Sequence, residues 1–272
     1  MPLNRAMRVE RPVALLTIAA GGVTAVRERL LRNTAERFAA AAFETLLDAI
    51  DANDAETGAH VRRVAAYALI LAEAADLKPA QRRKVERVAL FHDIGKVHAA
   101  ITDIVHDGTS LSPTERRLIA THPRRGADVL APLNPFYPDL AEGVLSHHER
   151  WDGTGYPRGL RGRRIPLEAR IVTIADTFDA ITHRRRYRGG RSAARAAQLI
   201  LEGRGTQFDP ELVDLFLMPP VFASIQEAMH ELNRRPEKSK RRAGHVRRRR
   251  VPDVTFRWRP AALELPVLDR WR

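Results

Sequence analysis

His147-His148-Glu149-Arg150-Trp151-Asp152-Gly153-Thr154-Gly155-Tyr156-Pro157 is the stretch on which the reading of this chain turns. Two adjacent imidazoles close a short helical pattern, Asp139 to His148, and glycines follow at 153, 155, 159 and 162. Glycines let backbone approach a ligand or another loop closely; a tight connection between helices is the plainer reading of any one of them. The loop lacks the Gly-Lys-Ser/Thr ending of a P-loop, which argues against a triphosphate cradle.

Outward from this loop the periodicity is helical on both sides. Downstream, helices fit Pro166 to about Arg184, Ala193 to Glu202, Pro210 to Leu217 and Val221 to Leu232. Upstream, Ser112-Pro-Thr-Glu115 opens a helix with Ser112 as its cap, and His122-Pro123 interrupts it before a further helix through Leu130. Lys78-Pro79 starts a helix, with Pro in its first turn, that runs to about Val97. From Glu56 to Asp76 the apolar positions Val61, Val64, Ala65, Ala68, Leu69 and Ala72 recur at three and four. Residues 26–52 are helical and alanine-rich. No stretch alternates with period two, so the expected fold is all-α, a helical bundle.

Charge divides the chain unevenly. The net charge is +13, and residues 232–272 carry 14 Lys/Arg against 4 Asp/Glu, so about +3 is left on the rest. The expected organisation is a helical extension over 1–42, a catalytic domain over 43–232 and a basic, disordered tail over 233–272. Such a run is ordinarily a solvated tail. Phe256, Trp258 and Trp271 among the charges make weak contact with nucleic acid or an anionic membrane the functional alternative. The apolar stretch Val13 to Val26 is short for a membrane span, and a helix, a break at Gly21-Gly22 and a second helix is preferred over a signal peptide. The absence of cysteine fits a cytoplasmic protein and leaves His, Asp and Glu as the metal-binding side chains. That donor set suits iron, manganese or magnesium, with zinc also open.

Five of the ten histidines fall into an ordered pattern with acids. Glu56 and His60, four apart, share a helix face. His92 and Asp93 are adjacent, and Lys96 follows where it can point into the same site. His122 precedes a proline, His147 and His148 are paired, and Asp176 interrupts an apolar helix. Singly, each has an ordinary structural explanation, as a cap, a core histidine or a hydrogen-bonded acid.

Together the motifs resemble the HD-GYP family, a branch of the HD-domain phosphohydrolases. The matching segments are His92-Asp93-Ile-Gly-Lys96, the stretch from His147 to Pro157, Glu56-Thr-Gly-Ala-His60, Ile174-Ala-Asp176-Thr-Phe-Asp179 and Gly205-Thr-Gln-Phe-Asp-Pro210. The resemblance covers roughly residues 43 to 220. It implies an HD-type bundle holding two or three divalent ions, iron or manganese first. The implied ligands are His60, His92, Asp93, His122, His147, His148 and Asp176, with Asp93 bridging and Glu56 matching the extra acid of three-metal members. Lys96, Arg185 and Arg188 fall at positions that contact substrate phosphates, and Asp93 and Lys96 are the implied catalytic pair. The implied activity is hydrolysis of cyclic di-GMP to linear pGpG or GMP by metal-activated hydroxide, with the Gly-Tyr-Pro loop tied to a signalling partner.

The chemistry agrees. Two ions about 3.5–4 Å apart ionise water and polarise phosphoryl oxygens, while a lysine and forked guanidinium groups bind phosphate. Two departures bear on substrate preference rather than on the ligands. The stretch Val97 to Gly108 lacks the family's Pro-Asp and Lys-Pro-Gly, and Arg185-Arg186-Tyr187 stands for Arg-Pro-Tyr. The alternatives are the same chemistry on another nucleotide, and a cyclic di-GMP-binding or scaffold module without turnover.

Overall fold

The computed structural model describes residues 34–35, 37–50, 52, 54–97, 112–183 and 190–234. Several expectations fall outside these residues: the start of the first helix, the stretch after Val97, Arg185 and Arg188, and nearly all of the basic tail with its aromatics.

The described residues hold helices and turns and no strand. Helix α1 covers 37–50. Next come α2 (Ala55–Ala74) and α3 (Pro79–Phe91), then a 3-10 turn (Ile94–Val97), α4 (Pro113–Ile119), α5 (His122–Leu130) and α6 (Leu140–Ser146). After the glycine loop follow α7 (Leu167–Thr182), α8 (Ala193–Glu202), α9 (Pro210–Phe216) and α10 (Pro219–Arg234).

Local chemistry starts these helices. The Asp54 carboxylate accepts from the main-chain N–H groups of Glu56 and Thr57, donors that the first turn of α2 leaves without partners. At α4, Ser112 accepts from the N–H of Glu115 while the Glu115 carboxylate accepts from the N–H of Ser112. Pro79 fits the first turn of α3, where a missing N–H costs nothing.

Helices α2 and α7 form the centre. Helix α2 packs on α3, α7 and α10, and α3 packs on α7. Val61, Val64, Ala68, Leu71 and Ala72 of α2 and Ile171, Val172, Ile174, Ala175 and Phe178 of α7 are all buried. Helix α7 is buried without a break from Ile171 to Ala175, as a helix packed on more than one side must be. Phe178 meets Tyr67 and Phe216 edge to face at centroid distances of 5.3 and 5.6 Å. Among the described residues no single helix is long and apolar enough to cross a membrane. The pair α9–α10 passes such a test only jointly, across a 70° bend, and its Leu212, Val213, Phe216, Ile225 and Ala228 are buried in the core.

One helix ends earlier than its periodicity predicts. Helix α3 stops at Phe91 rather than at Val97, with His92 and Asp93 in a turn before the 3-10 segment. The His92 ring donates to the carbonyl of Ala89 in the last turn, and Gly95 must come into backbone contact with His122. A continued α-helix would carry Gly95 away from that contact.

Candidate metal centre

Four helix ends deliver the imidazoles. His60 stands on the second turn of α2 beside α7, and His92 follows the end of α3. His122 opens α5, while His147 and His148 follow the end of α6. The rings run in contact: His60–His92 at 5.3 Å between centroids, His92–His147 at 5.2 Å, His122–His147 at 5.1 Å and His147–His148 at 4.1 Å.

Asp93 lies between two sets of these rings. Its Oδ2 is 3.5 Å from His92 Nε2, 3.8 Å from His60 Nε2 and 2.7 Å from Lys96 Nζ. Its Oδ1 is 3.3 Å from His122 Nε2. Asp176 brings Oδ1 to 3.3 Å from His60 Nε2 and 3.8 Å from His92 Nε2. Two groups of side chains have donor atoms close enough to share an ion: His60, His92 and Asp93, and separately His122, His147 and His148. Glu56 belongs to neither group and is exposed on the first turn of α2.

The donor chemistry fits cations. His92, His122 and His147 each direct Nδ1 at a main-chain oxygen three residues back, at 2.7, 2.7 and 2.6 Å. A carbonyl only accepts, so Nδ1 carries the proton and Nε2 of a neutral ring is a bare lone pair. The lone pairs of His122 and His147 then face each other at 3.1 Å. His92 Nε2 and Asp93 Oδ1 are buried with no hydrogen-bond partner among the described residues. Although Asp93 Oδ1 is near His122 Nε2, that nitrogen has no proton to offer. Buried acceptors facing one another are costly unless something positive sits among them. Divalent ions answer that arrangement.

Electrostatics agree. Burial pushes His122 down to about 3 and His148 down to about 4, and holds His147 well below its ordinary value, so all three rings are neutral near pH 7. Burial alone would raise the Asp93 carboxyl, but Lys96 and the surrounding imidazoles outweigh it and keep it ionised. His60 differs: burial alone would lower it, yet the hydrogen bonds to Asp176 and Asp179 push it up to about 9.

Several residues that the motifs contain but assign no role, and Arg63 outside them, support the cluster. Glu149 is 2% exposed, and its two carboxylate oxygens accept from the N–H groups of Arg158 (2.8 Å) and Leu160 (2.9 Å), tying the glycine loop back to the histidine pair. The N–H groups of Trp151 and Asp152 donate to the carbonyls of Gln207 and Thr206, joining that loop to the Gly205–Pro210 segment. The Tyr156 ring stacks on His148 at 4.9 Å, and burial together with Asp93 and Asp176 pushes its hydroxyl up to about 12. A Cβ at Gly155 would come within 2.3 Å of the Arg150 main chain, which demands glycine there. Asp179 and Arg63 sit behind His60. Spacing held a clue to both: Asp179 is one turn beyond Asp176, and Arg63 one turn beyond His60.

A helical bundle that buries a His–Asp pair among further imidazoles and carboxylates defines the class: an all-α protein built around a cluster suited to more than one cation. A family profile described as HD domain matches residues 44–212, and the chain belongs to the HD-domain family. Among its relatives is the "Cyclic di-GMP phosphodiesterase response regulator RpfG" of Xanthomonas campestris pv. campestris. It is 38% identical over 173 residues, which are 63% of this chain and 46% of the relative. Two proteins of Vibrio cholerae serotype O1 also match. One, named "Cyclic di-GMP phosphodiesterase", is 37% identical over 181 residues, 61% of this chain and 37% of its own length. The other, named "3'3'-cGAMP-specific phosphodiesterase 2", is 36% identical over 174 residues, 63% of this chain and 33% of its own. The chain thus spans between about a third and a half of the length of these curated relatives. Among solved structures, an HDG"Y"P protein of Bdellovibrio bacteriovorus superposes with a TM-score of 0.50 at 22% identity, covering 67% of this chain and 61% of that one. The HD domain of the L. monocytogenes phosphodiesterase PgpH also gives 0.50, at 18% identity, covering 71% and 98%. At these identities the two structures speak for the fold alone, and that fold is the one the resemblance to HD-GYP proteins implied.

Proposed function

We propose that this chain is a metal-dependent phosphodiesterase that opens cyclic di-GMP to linear pGpG or to GMP. The observation that carries the proposal is the convergence of His60, His92, Asp93, His122, His147, His148 and Asp176, drawn from positions 60 to 176, on one cluster whose buried donors face one another without protons to share. The relatives named cyclic di-GMP phosphodiesterases support the substrate. A second cyclic dinucleotide, 3'3'-cGAMP, is the alternative substrate, because a relative of equal similarity is named for it.

The two groups that meet at Asp93 would hold the ions, iron or manganese first on donor chemistry. Bound divalent ions supply Lewis acidity toward phosphoryl oxygens and a lowered pKa for water. The chain's own residues do the rest. Asp93 presents one oxygen to each group, so it sets their separation. Lys96, anchored on Asp93 at 2.7 Å, holds an ammonium at the rim of the cluster, where it would meet the negative charge of a phosphodiester. Tyr156 keeps its hydroxyl proton at neutral pH and lies flat on His148, a platform at the mouth of the glycine loop. Arg185 and Arg188, outside the described residues, are the proposed phosphate-binding guanidinium groups.

Metal analysis combined with turnover of cyclic di-GMP and 3'3'-cGAMP, with products separated by chromatography, tests the proposal. The purified protein should hold at least two divalent ions and release pGpG or GMP. His92→Ala and Asp93→Ala should lose metal and lose more activity than the ~10–100-fold typical of removing a partner behind a ligand, while helical circular dichroism is retained. Full activity in either variant would refute the metal assignment, and turnover of 3'3'-cGAMP alone would move the substrate to the alternative.

A further inference from the structure

His60 is held differently from its neighbours. His92, His122 and His147 give their Nδ1 protons to the carbonyls of Ala89, Ile119 and Val144, which are neutral acceptors. His60 gives its Nδ1 proton to a carboxylate, Asp179 Oδ2, at 2.7 Å. Arg63 grips that carboxylate in a fork, Nε to Oδ1 at 2.8 Å and an Nη to Oδ2 at 2.9 Å. Asp179 is 2% exposed and Arg63 6% exposed, so neither exchanges its partner for water. A carboxylate held this way cannot turn from the imidazole, and its charge draws the Nδ1 proton more strongly than a carbonyl does. The result is a fixed tautomer and a more basic Nε2.

The charge around the two groups is also unequal. Nε2 of His60 and Nε2 of His92 face two carboxylates, Asp93 and Asp176, within 3.8 Å. The second group consists of three imidazoles: Asp93 Oδ1 is 3.3 Å from His122 Nε2, and Asp176 and Asp93 act on His148 through their charge, but neither carboxylate belongs to the group. We infer that the Arg63–Asp179 pair is a positioning device that makes the His60 half of the centre the tighter divalent-cation subsite, filled before the His122–His147–His148 half. The inference rests on the reading of this cluster as a metal centre and assigns an order within it.

Zinc serves as a diamagnetic probe. Calorimetric titration of metal-free protein with Zn²⁺ should show two steps of unequal affinity. In 15N-histidine NMR of the unaltered protein, His60 signals should respond during the first step and His148 signals during the second. Asp179→Asn should weaken the first step by ~10–100-fold, the range for removal of a partner behind a ligand, and leave the second unchanged. Because Asp179→Asn leaves a buried guanidinium without its partner, the double variant Arg63→Met/Asp179→Asn, which removes both charges, is titrated beside it. Equal weakening of both steps, weakening of the second alone, or no change in either would overturn the inference. So would a response of His148 before His60 in the unaltered protein, a readout that needs no variant to fold. Failure of the unaltered protein to bind zinc would remove the metal centre itself. Two bound ions with the order reversed, or with affinities indifferent to Asp179, would remove the ordering and leave the phosphodiesterase reading standing.

Discussion

At residue 95 only hydrogen fits. A Cβ there would lie 2.1 Å from the His122 carbonyl oxygen and 2.7 Å from the main-chain nitrogen of Gly126. Main-chain atoms cannot swing aside as a flexible side chain does, so Gly95→Ala must push α5, and His122 with it, away from Asp93. The expected outcome is a loss of about 1–3 kcal/mol in urea denaturation, the usual penalty of overpacking, together with loss of metal from the His122 group. Retention of full stability and metal content would show that the main chain at His122 and Gly126 can yield to a methyl group. The residues proposed as ligands are legible in the sequence because imidazoles in this order with acids are rare by chance. Gly95 was visible only as a letter within His-Asp-Ile-Gly-Lys, because its role comes from a backbone contact across 27 positions. Glu56 shares a helix face with His60 and matches the extra acid that the resemblance implies, but the fold leaves it exposed on the first turn, outside both groups.

Among the elements, the glycine loop between α6 and α7 shows how a single acid holds the segment that follows the histidine pair. Glu149 accepts two main-chain N–H groups from the far side of the loop that His148 and Tyr156 help to form. Glu149→Ala leaves both amides without their acceptor, at about 1–3 kcal/mol for each that stays buried. Faster hydrogen exchange at Arg158 and Leu160 is expected, with a smaller change at α2 and α7. Unchanged protection at those amides would mean that the loop is held by its other ties, from Trp151 and Asp152 to the 205–210 segment. Helix existence was largely readable from period and caps: Ser112 caps α4 as expected, and Ala193–Glu202 falls where its pattern placed it. The end of α3 was not, because Val88 to Val97 stays apolar enough to continue. What stops the helix is a side-chain bond from His92 and a backbone contact from another helix.

For the molecule as a whole, the cluster links metal, protons and stability. With no ion bound, His60 keeps its proton above neutral pH, since its value is pushed up to about 9. The raised value contributes stability that is fully present below its ordinary ~6.5 and is lost as pH rises through about 9. Asp93, Asp176 and Asp179 are held below the ordinary carboxylate range, so their contribution is present above about 4 and is lost as pH falls. The metal-free protein should therefore lose melting temperature toward both extremes. Metal uptake at roughly pH 7–8 should release close to one proton, measurable by calorimetry in buffers of different ionisation enthalpy. Release of none would show that His60 is already neutral. Chelation should lower the melting temperature of the metal-loaded protein, because ions that bind only the folded state stabilise it by mass action. The bonds that orient His92, His122 and His147 each span three residues and sit at the last turn of a helix. Local contacts within those helix ends thus already direct Nδ1 of three rings at a main-chain carbonyl and leave Nε2 turned away from it. His60 has no such head start: its orienting partner is 119 positions away and arrives only when α7 docks on α2. The subsite assigned the stronger grip thus depends on the docking of α7 on α2, whereas the His122–His147–His148 group depends on the packing of α5 on α6.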